Sequence, residues 1–244
     1  MGGKRARGAT VAAQGVELIE IVIGRVRADP TCIAGFCGDA PLYTPRPLAS
    51  ATLDRLTFPS GKPLPPSLRR WLALDASWLA SFGWFASSTD FANPVFTPRR
   101  IDEIVRDELD DSPLISRLVS WSEMYAPLTD RFPECFLLPG GSDSRRIYAV
   151  TETPDAMGDY PVLVVDIDDL PYAAVMYPGF DVFLGDEVGL GLHPFDTYEA
   201  LHDDPRYATR MRHHALRLFD GKRGIEMADE EWTLPYALWE AGES

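Results

Sequence analysis

The sequence predicts a single α+β domain in which a small, mainly antiparallel sheet is flanked by helices. Runs rich in β-branched and aromatic residues are confined to the middle of the chain, whereas apolar residues at helical spacing occupy both ends. The 244 residues, 45% of them apolar, suffice for one sizeable core. We expect this domain to span residues 15–244, with extra helices at both ends and a loosely ordered or disordered tail over residues 1–14.

The first half of the chain predicts helices separated by an irregular connection. The segment GVELIEIVIGRVRADP has helical spacing in its apolar positions, which are Val16, Ile19, Val22, Ile23 and Val26. Prolines punctuate residues 31–66, so this stretch is predicted to be irregular. The segment PPSLRRWLAL then predicts a short helix that has proline in or before its first turn and buries Leu68, Trp71 and Leu72.

Two more helices are predicted before the sheet begins. In IDEIVRDELDD one stripe is apolar, formed by Ile101, Ile104, Val105 and Leu109. In SPLISRLVSWSEMYA, Ser112 is the expected N-cap and Pro113 the first helical residue.

The middle of the chain predicts antiparallel strands. ECFLL and RRIYAV are β-rich runs separated by a Gly-Gly-Ser-Asp turn, which predicts a hairpin. YPVLVVDIDD predicts a third strand, and YAAVMY a fourth.

The last third of the chain returns to helical patterning. GFDVFLGDEVGLG predicts a short helix. A longer one is predicted at about residues 206–219, with Asp203 or Asp204 as its cap, Pro205 in its first turn and Gly221 at its end. Its buried face is expected to contain Tyr207, Met211, His214, Leu218 and Phe219, and its solvent face Arg210, His213 and Arg217.

Composition restricts the classes of partner. The formal net charge is −14, which argues against direct binding of nucleic acid, because such proteins present an excess of Lys and Arg to the phosphates. A strongly acidic chain attracts basic proteins and accelerates their encounter. The alternative is that the charge serves solubility alone.

Cysteine usage and hydropathy predict a cytoplasmic protein. Three cysteines, Cys32, Cys37 and Cys135, do not form a disulfide scaffold. The N-terminal residues contain no apolar stretch of signal-peptide length. The most apolar run, WLALDASWLASFGWFASS, is interrupted by Asp75 and Gly83 and is predicted to be core, with no membrane association.

The sequence contains no recognised catalytic or nucleotide-binding motif, and no cofactor is predicted. GxxxxGK[ST] and GxSxG are absent, and GLGLHP does not follow a strand. GGSDS lies in the predicted hairpin turn, where Gly, Ser and Asp are the residues that tight turns require.

Metal sites have little support in the sequence. His213 and His214 are adjacent on a helix and diverge, so they cannot face one ion. Cys32 and Cys37 lack the second pair of ligands that a structural zinc site needs. In VVDIDD, Asp166 and Asp168 lie on one face of a strand and could ligate magnesium, or the strand could simply end there in a turn with Asp169.

The order of elements resembles the SUKH superfamily, the Smi1/Knr4-like proteins. The family pattern is an LP-x-S-hydrophobic helix start, a strand and turn with Gly and Asp, a strand with an aromatic residue and Pro-Val, and a closing sF-x-x-FL helix. Here DASWLASFGW replaces the usual Gly-rich turn, and extra helix precedes the hairpin. The pattern covers about residues 55–190, and its slots hold Leu64, Pro65, Ser67, Leu68, Trp71, Leu72, Asp143, Tyr148, Tyr160, Pro161, Val162, Phe180, Phe183 and Leu184.

This resemblance implies a protein-binding module without an active site. Many bacterial members resemble immunity proteins that neutralise polymorphic toxins, often nucleases, while fungal members act in cell-wall signalling. Three lysines beside twenty arginines favour a GC-rich bacterial genome. A nuclease inhibitor needs acidic groups that mimic phosphates. The candidate partner-binding residues are the acids around the third strand and the following helix, namely Asp166, Asp168, Asp169, Asp181, Asp186 and Glu187.

Two other functions stay open at this point. One is a metal-assisted enzyme in which the acids near Asp166 converge with His193 or His202 in a pocket. The other is a regulatory or structural adaptor without a toxin partner.

Overall fold

The structure, a computed structural model, describes residues 13–34, 44–103, 125, 128–141, 145–166, 172–192 and 199–226. In chain order its helices and strands are α1 (Val16–Ala28), α2 (Thr31–Ala34), α3 (Ser50–Leu53), α4 (Pro66–Leu72), α5 (Ser77–Ser81), β1 (Cys135–Leu138), β2 (Arg145–Val150), β3 (Val162–Asp166), β4 (Tyr172–Tyr177), α6 (Phe180–Glu187), α7 (Ala200–Asp203), α8 (Ala208–Phe219) and β5 (Gly224–Glu226).

The five strands form one antiparallel sheet in the order β1-β2-β3-β4-β5. The predicted hairpin is confirmed, with Leu138 opposite Ile147. The third and fourth strands are confirmed as well, and Asp166 pairs with Tyr172. Strand β5 pairs with β4 through Ile225 opposite Ala173. It was not predicted, because three residues are too few to show alternation.

The helices bury apolar faces against this sheet and against one another. Helix α1 packs on α4 and α6, and α8 packs on α7 and β4. Pro66 is the first residue of α4, where its missing N–H costs no hydrogen bond. Leu68, Trp71 and Leu72 of α4 are buried as expected.

The aromatic run before the sheet belongs to the core. Trp71, Trp78 and Trp84 are all buried. Trp71 and Trp78 meet edge to face with ring centroids 5.8 Å apart, and the indole N–H of Trp84 donates to the carbonyl of Leu137 over 2.7 Å. Within the described residues, no helix combines the length and apolarity that crossing a membrane requires.

Several expectations about single residues need correction. Val16, expected in the buried stripe of α1, is 40% exposed at the first position of the helix. Ala13 and Gln14, assigned to the tail, pack on the body: Ala13 is buried, and the Gln14 side-chain amide donates to the Arg206 carbonyl over 2.7 Å. Arg210, expected on the solvent face of α8, is buried. The predicted helices beyond residue 103, which include Ile104, Val105, Leu109, Ser112 and Pro113, lie outside the described residues.

Candidate functional site

Asp166 ends strand β3 beside a basic residue of the neighbouring strand. It lies opposite Arg145 in the register of β2 and β3, and the Arg145 Nε atom is 3.5 Å from its Oδ2 atom. The carboxylate is therefore partly neutralised within the sheet. Asp168 and Asp169, predicted with it as partner-binding residues, lie outside the described residues.

Asp181 is not a surface residue, and its assignment to a partner-binding surface is wrong. It occupies the first turn of α6 and is fully buried. The N–H of Gly15, just before α1, donates to its Oδ2 atom over 2.6 Å. The physical reason for the burial is that the first turn of α6 faces both α1 and α8, so this carboxylate points inward toward Arg210.

Arg210 is the centre of a buried ionic cluster that we call the Arg210 cluster. Its guanidinium bonds Asp181 through Nη1 to Oδ2 at 2.8 Å and through Nη2 to Oδ1 at 2.9 Å. Its Nε atom donates to Asp155, and Nη2 lies 3.3 Å from Asp159 Oδ2. Asp159 in turn accepts a hydrogen bond from the Ser67 hydroxyl at the start of α4.

Gly179 leaves room for the Arg210 guanidinium because it has no side chain. A Cβ atom at Gly179, which precedes α6, would lie 2.5 Å from Arg210 Nη2 and 2.7 Å from the Cβ atom of Asp159. Any other residue there would displace the cluster. The Arg210 cluster thus joins α4, α6, α8 and the loop at residues 154–159.

Burial and the arginine charge shift the titration of the cluster. Burial, together with the nearby Asp181 charge, raises the pKa of Asp159 well above its usual value. Burial opposes ionisation of Asp155 too, but contacts with His214 and Arg210 outweigh it and lower the pKa of Asp155. The pKa of His214 is lowered by burial, and its Nε2 atom lies 3.0 Å from the Pro178 carbonyl. The cluster is a closed, compensated network with a structural role.

Asp186 and Glu187, both predicted as partner-binding residues, share the last turn of α6. Both are half-buried. The Tyr177 hydroxyl donates to Asp186 Oδ2 over 2.7 Å. Glu187 lies against the turn after β1, since a Cβ atom at Gly140 would stand 2.3 Å from its Oε1 atom. Its Oε2 atom is buried without a hydrogen-bond partner in the part of the chain that the structure describes.

The environment of Glu187 disfavours its charge. Burial, and then the neighbouring charge of Asp186, raise the pKa of Glu187 to about 8. The last turn of α6 contains no basic residue, and the C-terminal end of a helix carries a partial negative charge that favours cations. We call Asp186 and Glu187 the α6 carboxylate pair. Of the two, Glu187 has the carboxyl oxygen that lacks a hydrogen-bond donor among the described residues.

The described histidines and cysteines have structural surroundings. His202, a candidate for the metal-assisted alternative, is buried with Nε2 3.1 Å from the Val175 carbonyl. His213 lies 3.1 Å from the Pro154 carbonyl. His193 and Cys37 are outside the described residues. Among those that are described, no three His, Cys, Asp or Glu side chains are arranged to hold a metal ion.

Several of the residues that carry the SUKH resemblance lie near the start of β3, whereas Asp143 lies outside the described residues. The Ser67 hydroxyl binds Asp159, and the Tyr160 hydroxyl donates to the Pro63 carbonyl over 3.1 Å. Phe180, Phe183 and Leu184 are buried beneath them. These residues lock α4 and α6 onto the sheet, so their role is scaffold.

Comparisons with known proteins bear on the fold alone. No family model and no curated protein matches the chain. The chain is similar to the crystal structure of an uncharacterized protein from Salmonella enterica subsp. enterica serovar typhimurium str. 14028s, at 14% identity and a TM-score of 0.54. The match covers 93% of this chain and 98% of the other. At this identity the likeness shows a shared fold, a single α+β domain with an antiparallel sheet flanked by helices.

Proposed function

We propose that this protein is a non-catalytic, intracellular protein-binding module of the bacterial immunity type, which neutralises a basic toxin by binding it. The observation that carries the proposal is the α6 carboxylate pair, since Glu187 holds a buried oxygen that has no partner among the described residues. An uncompensated carboxyl group beside a second carboxylate is a ready acceptor for an arginine or lysine side chain.

The charge of the whole chain supports the same class of partner. The net charge is −14. Residues 227–244 contain five acids and no Lys or Arg, the acids being Asp229, Glu230, Glu231, Glu240 and Glu243. A field of this sign steers basic proteins toward the surface and repels nucleic acid. It suits an inhibitor of a nuclease, whose substrate cleft is basic.

The packing of the motif residues agrees with a SUKH-type scaffold. Ser67, Tyr160 and Phe180 connect α4, β3 and α6 without contributing an exposed reactive group. The charged side chains of the Arg210 cluster are buried and closed off from solvent. Both observations favour binding over catalysis.

The first experiment is capture of the partner from the native bacterium at several salt concentrations. We expect one basic protein to be retained at low salt and released as salt rises, because screening weakens the electrostatic attraction. Expression of that protein alone should be toxic, and co-expression of this chain should relieve the toxicity. Capture of nothing at low salt, or of a protein that is harmless on expression, would reject the immunity function.

A pair of variants then tests the α6 carboxylate pair. Asp186→Asn with Glu187→Gln should weaken binding of the captured protein at least tenfold, as expected for charge-assisted hydrogen bonds. Glu199→Gln, an exposed acid elsewhere on the chain, is the matched control. Because the free Glu187 carboxyl holds its proton at neutral pH, binding of a cation should release that proton, and affinity should rise with pH up to about 8.

A further inference from the structure

Helix α8 has a basic exposed side in an otherwise acidic protein. Its sequence, ATRMRHHALRLF, contains three arginines, two histidines and no Asp or Glu, whereas the whole chain has a net charge of −14. Arg212 and Arg217 of this helix are exposed. The turn from α8 to β5 adds two exposed cations, Lys222 and Arg223, against one exposed acid, Asp220. The exposed side of α8 and this turn therefore attract carboxylates.

A leucine stands uncovered between these cations. Leu216 is 63% exposed, more than any other large apolar residue of the described chain. It lies one helical turn after Arg212, so the two side chains share one side of the helix. The Arg212 guanidinium lies back along that side, because its Nε atom donates to the Ala208 carbonyl over 3.1 Å. Leu216 leans the other way, toward the turn, since a Cβ atom at Gly221 would stand 4.0 Å from its Cδ1 atom. We call Arg212, Leu216 and Lys222 the α8 surface.

A segment of complementary chemistry follows β5 in the sequence. Residues 227–244, which lie outside the described residues, have the sequence MADEEWTLPYALWEAGES, with five acids and no Lys or Arg. Three of these acids are consecutive, Asp229, Glu230 and Glu231, and Trp232 comes directly after them. Carboxylates beside a large apolar side chain are what a leucine between two cations requires.

The segment is long enough to reach the α8 surface. Helix α8 packs on both β4 and β5, so the chain leaves β5 at Glu226 close to the helix. The six residues after Glu226, which end at Trp232, span up to about 20 Å when extended. The 12 residues of α8 measure about 18 Å along the axis. A short tether gives a local concentration in the millimolar range, so contacts that are weak between separate molecules suffice.

We propose that residues 229–232 dock on the α8 surface of the same chain, where the carboxylates meet Arg212 and Lys222 and the Trp232 ring covers Leu216. Leu216 then loses its contact with water, and the cations gain counter-charges. An acidic segment of another molecule has similar chemistry but lacks the tether, so the chain's own segment is the favoured occupant. The contact is independent of the α6 carboxylate pair and of the toxin.

The test follows the Leu216 methyl resonances in the full, ¹³C-methyl-labelled chain. At low salt we expect nuclear Overhauser contacts between these methyl groups and the Trp232 ring. The contacts should disappear at about 1 M salt, where the screening length is only about 3 Å. Asp229→Asn combined with Glu230→Gln and Glu231→Gln should weaken the contacts at least about fivefold at low salt, because each exposed ion pair contributes a small share. It should also move the Leu216 resonances to their high-salt positions.

Further variants assign the contact to the α8 surface. Arg212→Gln, a change at an exposed position, should weaken the contacts as well. Two controls should leave them unchanged: Glu240→Gln with Glu243→Gln, the other acids of the segment, and Arg217→Gln, an exposed arginine that points to another side of α8. Absence of contacts between Leu216 and Trp232 at low salt, or equal effects of the control pair, would overturn the proposal. Leu216 shifts that depend on protein concentration would also overturn it, because the occupant would then be a second copy.

Discussion

Arg210 and Asp181 form a two-pronged ion pair in the interior of the protein. Nη1 and Nη2 of the guanidinium reach Oδ2 and Oδ1 of the carboxylate at 2.8 and 2.9 Å, and both side chains are buried. The pair links α6 to α8, and Gly15 adds the start of α1 through the other hydrogen bond to Asp181. Three helices are therefore positioned by one carboxylate.

Removal of the arginine should be severely destabilising. In Arg210→Met the carboxyl groups of Asp155, Asp159 and Asp181 lose their common counter-charge while they stay buried. We expect the free energy of unfolding at pH 7 to fall by about 3–5 kcal/mol, the usual cost of breaking a buried ion pair from one side. Urea denaturation followed by tryptophan fluorescence measures it.

The matched control for this substitution is Arg217→Met. Arg217 lies two turns further along α8 and is exposed, so its replacement should change the free energy of unfolding by less than about 0.5 kcal/mol. Similar losses in the two variants would show that the Arg210 cluster contributes no more than a surface arginine.

The strands and helices could be predicted where their apolar period is long enough. Leu138 and Ile147 were correctly expected on a hairpin, because the β-rich runs flank a Gly-Gly turn. Helix α8 was predicted because its apolar residues, which include Met211 and Leu218, recur at helical spacing. Local patterns determine such elements without knowledge of the rest of the chain.

The burial of Arg210 could not be predicted in this way. On the helical wheel it lies with His213 and Arg217, so a two-faced interpretation of α8 places it in solvent. Its partners come from a loop 51 to 55 residues away and from α6, and only tertiary contacts bring them together. One signal was available, because Asp181 stands inside the apolar run GFDVFL, where a charged residue needs a buried partner.

Glu134 should stabilise the turn that follows Phe58. Its carboxylate accepts hydrogen bonds from Ser60 and from the Thr151 hydroxyl. Glu134→Ala leaves these donors unpaired, so we expect the free energy of unfolding to fall by about 1–3 kcal/mol and the Ser60 amide to exchange its hydrogen faster. Native-state hydrogen exchange measures both. In Glu152→Ala, the half-buried control, the Ser60 amide should keep its protection; equal acceleration in both variants would argue against the role of Glu134.

The two described cysteines should differ in reactivity. Cys135 is fully buried, its thiol donates to the Arg99 carbonyl over 2.7 Å, and burial raises its pKa to about 12. Cys32 is half-buried, and burial raises its pKa as well. Because only a thiolate reacts readily, iodoacetamide at pH 8 should modify Cys32 slowly and Cys135 only after unfolding in urea. Peptide mass spectrometry assigns each site, and modification of Cys135 in the folded protein at the rate of Cys32 would contradict its burial.

The stability of the protein should depend on pH through Glu187. Its pKa is raised to about 8 in the folded protein, from 4.5 for an ordinary glutamate carboxyl. The folded state therefore holds this proton more tightly than the unfolded state. The contribution of Glu187 to the free energy of unfolding is fully present below about pH 4.5 and is lost as pH rises through 8.

A glutamine at this position retains a neutral group throughout. Glu187→Gln should thus match the parent at pH 4.5 and exceed its free energy of unfolding by about 2–4 kcal/mol at pH 9. Urea denaturation at both pH values gives the difference, and comparison with Glu199→Gln removes the general effect of one charge. A gain that is the same at both pH values would mean that Glu187 titrates normally, and it would count against the uncompensated carboxyl group on which binding of a basic partner is proposed to depend.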